Sequence, residues 1–308
     1  MALYFLNCMF VSSKSLLEKA REKHYALPAF NTSNLEMSKA LFGAAEQMKA
    51  PLLVQTTPSS IEYAGLESIF SIIKTLSKNS KIPACIHLDH GRDLGLVKRC
   101  TALGYKSVMI DASRLPFNKN AALTRKAVKI AHWRGCSVEA ELGSLGRLGK
   151  ASLTDASQAR LFVKKTGCDS LAVAIGTSHG AYKFKGKPKI DLERLREISE
   201  LVSVPLVLHG ASSVDKKLVK KANRYGAKLG HTAGVPMKDL KRAIKLGAAK
   251  INIDTDLRLA FTAALREFHA KNPKDFDPRN ALEFAGQSVK KVAAEKIRAF
   301  GAKNRARG

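Results

Sequence analysis

Eight short apolar runs, several rich in β-branched residues, punctuate the chain. They are Ala26–Phe30, Leu52–Gln55, Ala84–Leu88, Ser107–Ile110, Ser137–Leu142, Ser170–Ile175, Pro205–Leu208 and Lys250–Ile253. Several are hydrophobic at nearly every position, as strands buried on both faces must be. Between them the apolar spacing changes to that of helices. Ser33–Met48 reads as a helix capped by Ser33, with Glu36 at capping-box spacing. Ala122–Arg134, Asp155–Lys165, Asp191–Val202 and Met237–Leu246 read the same way. Strands alternating with helices imply a parallel sheet, and eight such units predict an α/β fold closed into a (β/α)8 TIM barrel. Beyond the eighth run, Leu257–Ala270 and Ala281–Phe300 predict extra C-terminal helices, an extension over about residues 257–308. Its basic end, Lys303–Gly308, is expected to fray. No low-complexity linker divides the chain, so a single domain over residues 1–308 is expected.

A barrel of this kind builds its active site at the C-terminal ends of its strands. Polar residues end all eight runs on that side. The first ends in Asn31 and the second is followed by Thr56 and Thr57. The third runs into His87, Asp89 and His90, and the fourth ends at Asp111. The fifth carries Glu139 and Glu141, the sixth reaches His179-Gly180, and the seventh reaches His209-Gly210-Ala211-Ser212-Ser213. The eighth runs into Asp254-Thr255-Asp256. A lone histidine is more often structural than a ligand. His90, His179 and His209, at one rim, are a different matter. Three neutral imidazoles with an open fourth position make a catalytic zinc site, and such a metal polarises a carbonyl. Asp111 and Glu141 are placed to orient these rings or to hold metal at a second position. His87 is expected to be buried in its strand. His24, His132, His231 and His269 are expected on helices or the surface. Small residues at the same rim, Gly180, Gly210–Ser213 and Asn252–Thr255, suit a phosphate cradle, with Lys183, Lys185 and Arg258 as nearby cations.

Composition adds three constraints. The chain carries 53 Lys and Arg against 26 Asp and Glu, a net charge of +27, which attracts anionic substrates. The basic residues are spread along the chain without aromatic interleaving, so nucleic acid is not an expected partner. No apolar stretch approaches the roughly 20 residues of a membrane helix, and the opening MALYFLNCMFVSSK lacks a basic n-region and cleavage site. Five cysteines without a CxxC pair read as buried reduced thiols and favour the cytoplasm.

The segments PAFN, HLDH, SVMIDAS, VEAELG, SLAVAIGTSHG, PLVLHGASS and KINIDTDLR occur in this order. In them, from about Ser12 to Phe300, the sequence resembles the class II, metal-dependent fructose-bisphosphate aldolases and the subgroup that includes tagatose-bisphosphate aldolases. The resemblance implies that His90, His179 and His209 bind a catalytic Zn2+ and that Asp89 is the acid/base at the C4 hydroxyl. It also implies that Gly180, Lys183, Gly210, Ser212, Asn252 and Thr255 hold the dihydroxyacetone-phosphate end of a phosphorylated sugar, with Asn31 beside it. Asp254 and Arg258 look like determinants for the other half. A second metal position, an accessory monovalent cation and a homodimer or homotetramer are further expectations of the resemblance. Tagatose-type members usually carry Ala where Asp254 stands, which favours the fructose isomer.

One departure stands out. The family carries an acid in the loop after the strand-five Glu, whereas here Glu141 is followed by LGSLGRLGKASLTD, with Gly149 and Lys150 near that place. Either another group, such as Asp155, takes its place, or proton exchange at C3 of dihydroxyacetone phosphate is slow. Lys106 and Lys250 fall at strand starts, the rim away from the chemistry, which argues against a Schiff-base route. Two alternatives are an aldolase for tagatose bisphosphate or another ketose phosphate, and a basic polyanion-binding protein on an aldolase scaffold.

Overall fold

The structure is a computed structural model that describes residues 10–143, 153–177, 190–230 and 232–306. Eight parallel strands close into a barrel in chain order. They are β1 (Leu27–Asn31), β2 (Leu52–Thr56), β3 (Ala84–Gly91), β4 (Ser107–Ile110), β5 (Ser137–Leu142), β6 (Ser170–Val173), β7 (Leu206–Leu208) and β8 (Ala248–Ile253). Pairing of β1 with β8, from Leu27↔Lys250 to Phe30↔Ile253, seals the ring. All eight predicted runs are therefore strands, each within two residues of its expected bounds except β3, which runs on three residues past Leu88 to Gly91.

Among the described residues, eight helices serve as the outer layer: α2 (Leu35–Met48), α4 (Leu66–Lys78), α5 (Leu94–Leu103), α6 (Phe117–His132), α7 (Ala156–Thr166), α8 (Leu192–Leu201), α10 (Met237–Lys245) and α11 (Thr255–Lys271). Four more stand outside that alternation: α1 (Ser13–Glu22), α3 (Pro58–Ala64), α9 (Lys216–Arg224) and α12 (Pro278–Ala299). The cap of α2 is Asn34, not Ser33. Asn34 takes an extended backbone and its Oδ1 accepts the Met37 amide at 3.0 Å. The expected frayed end is also corrected: the Asn304 and Ala306 amides donate to Met48 and Lys49 carbonyls at 2.9 Å, tying residues 303–306 to the end of α2. Asp155 caps α7, its carboxylate accepting the Gln158 amide at 2.8 Å.

Strand alternation sends Leu, Ile, Val and Phe outward beneath the helices and leaves a polar barrel interior. At the strands' N-terminal end, Ser13 of α1 lies 2.8 Å from the hydroxyls of both Ser107 and Ser137. Ser107 in turn bonds His87 Nδ1 at 2.7 Å. The buried His87 ring is pushed well below its ordinary pKa, by burial first and then by Lys250, so it is a neutral interior residue as expected. No helix among the described residues is long and apolar enough to cross a membrane.

Cys85, Cys100, Cys136 and Cys168 are unpaired and buried. Burial pushes Cys85, Cys100 and Cys168 up to about 12 and raises Cys136 as well. A thiol reagent at pH 8 should therefore modify these four only as the protein unfolds, because the thiolate is the nucleophile. Peptide mass spectrometry after brief exposure checks this, and prompt labelling of any one in the native protein would contradict it.

Candidate active site

The third strand presents two neighbouring residues to one cavity, which a regular strand cannot do. Alternation turns His87 and Asp89 inward and would turn His90 outward. The pairing of β3 with β4 slips between Leu88 and Gly91, and His90 takes φ of 51°, in the left-handed region. This irregularity rotates the His90 ring to the rim beside Asp89. Gly91 makes it possible, since a Cβ there would lie 2.5 Å from the Met109 carbonyl oxygen.

Asp89 sits in a nest of amide donors. Asn31 Nδ2 donates to its Oδ2 at 3.0 Å and Asn252 Nδ2 to its Oδ1 at 3.0 Å. Gln55 Nε2 donates to Asn31 Oδ1 at 2.7 Å and reaches Asp89 at 3.3 Å. Burial alone would raise the Asp89 pKa. The charges of His90, His209 and Lys250, and the Asn31 bond, outweigh it and hold the carboxyl below its usual value. Asp89 is thus a buried carboxylate at neutral pH.

Two imidazoles converge next to it. His90 Nε2 and His209 Nδ1 are 2.9 Å apart. Their other nitrogens face carboxylates: His90 Nδ1 to Asp111 at 3.0 Å and His209 Nε2 to Glu139 at 2.6 Å. With those outer N–H groups committed, the remaining nitrogens, His90 Nε2 and His209 Nδ1, face each other, and in the neutral form of each ring that nitrogen carries the lone pair a metal would take. One ligand atom each from Asp89, His90 and His209 lies within 4.8 Å of the others, and the same holds for His90, Asp111 and Glu141. The electrostatics fit a cation here. Burial opposes a charged His90, yet Asp89, Asp111 and Glu141 together raise it to about 9. Glu141 is pushed up to about 8, by burial first and then by Asp111. For Asp111 burial also opposes ionisation, but its bonds from His90 and Ser113 win and keep it ionised. The carboxylates that raise His90, and that add to burial in raising Glu141, are a concentration of negative charge that a divalent ion would relieve. His179, the third expected ring, lies outside the described residues.

A family model described as fructose-bisphosphate aldolase class-II matches residues 11–305. The chain belongs to the class-II fructose-bisphosphate aldolase family. It is therefore a carbon–carbon lyase of a typically metal-dependent family. It is 44% identical over 306 residues to a fructose-bisphosphate aldolase of Thermus caldophilus, covering 97% of this chain and all of that protein. It is 42% identical over 296 residues to a fructose-bisphosphate aldolase of Giardia intestinalis, covering 94% and 92% of the two chains. The solved structure of the YdjI aldolase from Escherichia coli K12 superposes with a TM-score of 0.82 at 34% identity, covering 97% of this chain and all of that one.

Of the remaining expected residues, the described ones lie around the same rim. Asn252 lies beside Asp89 and reaches His209 at 3.3 Å. Gly210, with φ of 59°, and buried Ser212 form the turn after β7. Thr255 opens α11, placing that helix's N-terminus at the rim. Asp254 and Arg258 form an exposed ion pair at 3.4 Å, one turn apart. Gly180, Lys183 and Lys185, and the loop where the family's acid would sit, fall outside the described residues.

Three site residues escaped the sequence reading. Gln55, not Thr56 or Thr57, faces the cavity from β2. Thr56 turns outward to Tyr105 at 2.9 Å and Thr57 caps α3. Glu139 was noted in its strand but given no task, and it grips His209. Lys250 was placed at the far rim. It is instead the third residue of β8, fully buried, with its Nζ 2.9 Å from Glu139. Strand parity was the available signal for Gln55. Nothing in the sequence pairs Lys250 with Glu139.

Proposed function

We propose that this aldolase reversibly cleaves fructose 1,6-bisphosphate to dihydroxyacetone phosphate and glyceraldehyde 3-phosphate. A zinc ion would be held by His90, His179 and His209, with Asp111 and Glu141 behind it or at a second position. The observation that carries this reading is the convergence of His90 and His209 beside the amide-held carboxylate of Asp89. Zinc, when bound, supplies Lewis acidity toward the ketose carbonyl. The protein's own part is proton handling and positioning. In cleavage, Asp89 takes the C4-hydroxyl proton, the C4 oxygen becomes the new aldehyde, and the C3–C4 electron pair passes toward C2. Asn31, Gln55 and Asn252 keep Asp89 ionised and aimed. Gly210, Ser212 and Thr255, with Gly180 and Lys183, hold the ketose-end phosphate through N–H groups, hydroxyls and a cation. Asp254 and Arg258 face the aldehyde half. The net charge of +27 draws the bisphosphate in.

In this reading residues 1–308 form one domain, the enzyme works in the cytoplasm with its thiols reduced, and it assembles as a homodimer or homotetramer.

A coupled assay tests the central claim. Cleavage of fructose 1,6-bisphosphate should vanish with a strong zinc chelator and return on adding zinc. The tagatose epimer should react at least about tenfold more slowly, the span of a 1–3 kcal/mol discrimination. Chelator-insensitive cleavage would exclude the metal, and equal rates on the two epimers would exclude the fructose assignment.

A further inference from the structure

The turn after β7 is held more firmly than its length requires. Within five residues it enters the left-handed backbone region twice, at Gly210 with φ of 59° and at Val214 with φ of 48°. Val214 is β-branched, and such a residue stays there only where its surroundings dictate it. On one side is Gly234, whose added Cβ would lie 2.3 Å from the Ser213 carbonyl carbon and 2.5 Å from the Ser212 oxygen. The Val235 amide donates to that Ser212 oxygen at 3.2 Å. On the other side Asp256, in the first turn of α11, accepts the Ser213 amide at 3.1 Å. Behind Asp256 stands a residue of the last helix. Lys296 of α12 places Nζ 2.8 Å from Asp256 Oδ2 and touches the Ser213 hydroxyl. Asp256 is 1% exposed and Lys296 6%.

A buried ion pair adds little stability over well-packed apolar residues, but its geometry is demanding. Leucines would fasten α12 to the barrel as well. What this pair does that leucines would not is local to the turn. It fixes the Ser213 amide, and it cancels the charge of a carboxylate that would otherwise repel an arriving phosphate. We propose that Lys296 is a positioning residue: acting through Asp256 and Ser213, it sets the turn at 210–213 in the shape that receives the substrate phosphate. This rests on the reading of Gly210 and Ser212 as phosphate ligands. It gives the C-terminal extension a task at the active site, although α12 itself packs outside the barrel.

The test compares Lys296→Met, Lys296→Arg, Ser212→Ala and the double variant Lys296→Met/Ser212→Ala in the full-length, zinc-loaded enzyme. Readouts are kcat and KM for fructose 1,6-bisphosphate and inhibition by inorganic phosphate. Lys296→Met should raise KM and weaken phosphate inhibition by about tenfold while lowering kcat less, the mark of lost binding rather than lost chemistry. Lys296→Arg should recover most of the loss. The double variant should be little worse than the poorer single one, because both changes act on one contact. If Lys296→Met does not fold, Ser213→Ala takes its place, with a rise in KM of about threefold expected from one lost hydrogen bond. An effect of Ser212→Ala without one of Lys296→Met (or of Ser213→Ala in its place), or penalties that multiply independently, overturns the positioning role alone. No effect of Ser212→Ala on KM overturns the phosphate reading and this proposal with it.

Discussion

Asp89→Asn is expected to lower kcat for fructose 1,6-bisphosphate cleavage by about 10²–10⁴-fold, the usual worth of a positioned general base. The substitution keeps the size of the side chain and removes its basicity. It also turns one amide N–H group toward a donor, since Asn31 and Asn252 both donate to Asp89. Those neighbours are primary amides and can rotate by half a turn to accept instead, so the fold should survive. KM should change far less than kcat, because the proton is taken in the transition state. Metal content, measured on the purified variant, should stay near that of the parent, since the imidazoles keep their carboxylate partners. Cleavage within tenfold of the parent, in a variant with full metal content, would remove Asp89 from the mechanism.

Much of this site could be read along the chain, and the part that could not has identifiable causes. Buried parallel strands are short and apolar, so the runs marked themselves, and the residue after each run fell at the rim where barrel chemistry sits. That logic pointed to Asn31, Asp89, His90, Asp111 and His209, while Glu141 and Asn252 stood out as polar residues near the ends of their own runs. It could not say that His90 and Asp89 share a cavity. Strict alternation forbids it, and only the slip at Leu88/Gly91 with the left-handed turn of His90 permits it. The missing cap on α2 has a smaller cause: Ser33 and Asn34 are both good caps, and the local backbone chose Asn34. Helices α1, α3, α4, α5 and α9 lie outside the five helices expected between strands and the two expected at the C-terminal end. Contacts across the barrel were out of reach altogether. Lys250 and Glu139 are 111 residues apart, and which interior residues meet depends on the stagger of eight strands.

That cross-barrel pair sets the second large effect. Lys250→Met is expected to destabilise the protein by about 3–5 kcal/mol, because it leaves Glu139 charged and buried without its cation. Both groups are almost wholly buried, Lys250 at 0% and Glu139 at 1% exposure, so solvent cannot screen the loss. The double variant Lys250→Met/Glu139→Gln should regain most of that stability, since a neutral pair of similar volume needs no partner charge. Metal binding should separate the two residues. Glu139 accepts the Nε2–H of His209 at 2.6 Å, which fixes the ring's tautomer and leaves Nδ1 for the ion. Loss of such a partner typically weakens metal affinity by about 10–100-fold. The double variant should therefore be stable yet bind zinc more weakly than the parent. Urea denaturation gives the first quantity and competition with a chromogenic chelator the second. Lys250→Met as stable as the parent would mean that the buried carboxylate has another means of compensation. Parental zinc affinity in the double variant would mean that His209 does not depend on Glu139 for its orientation.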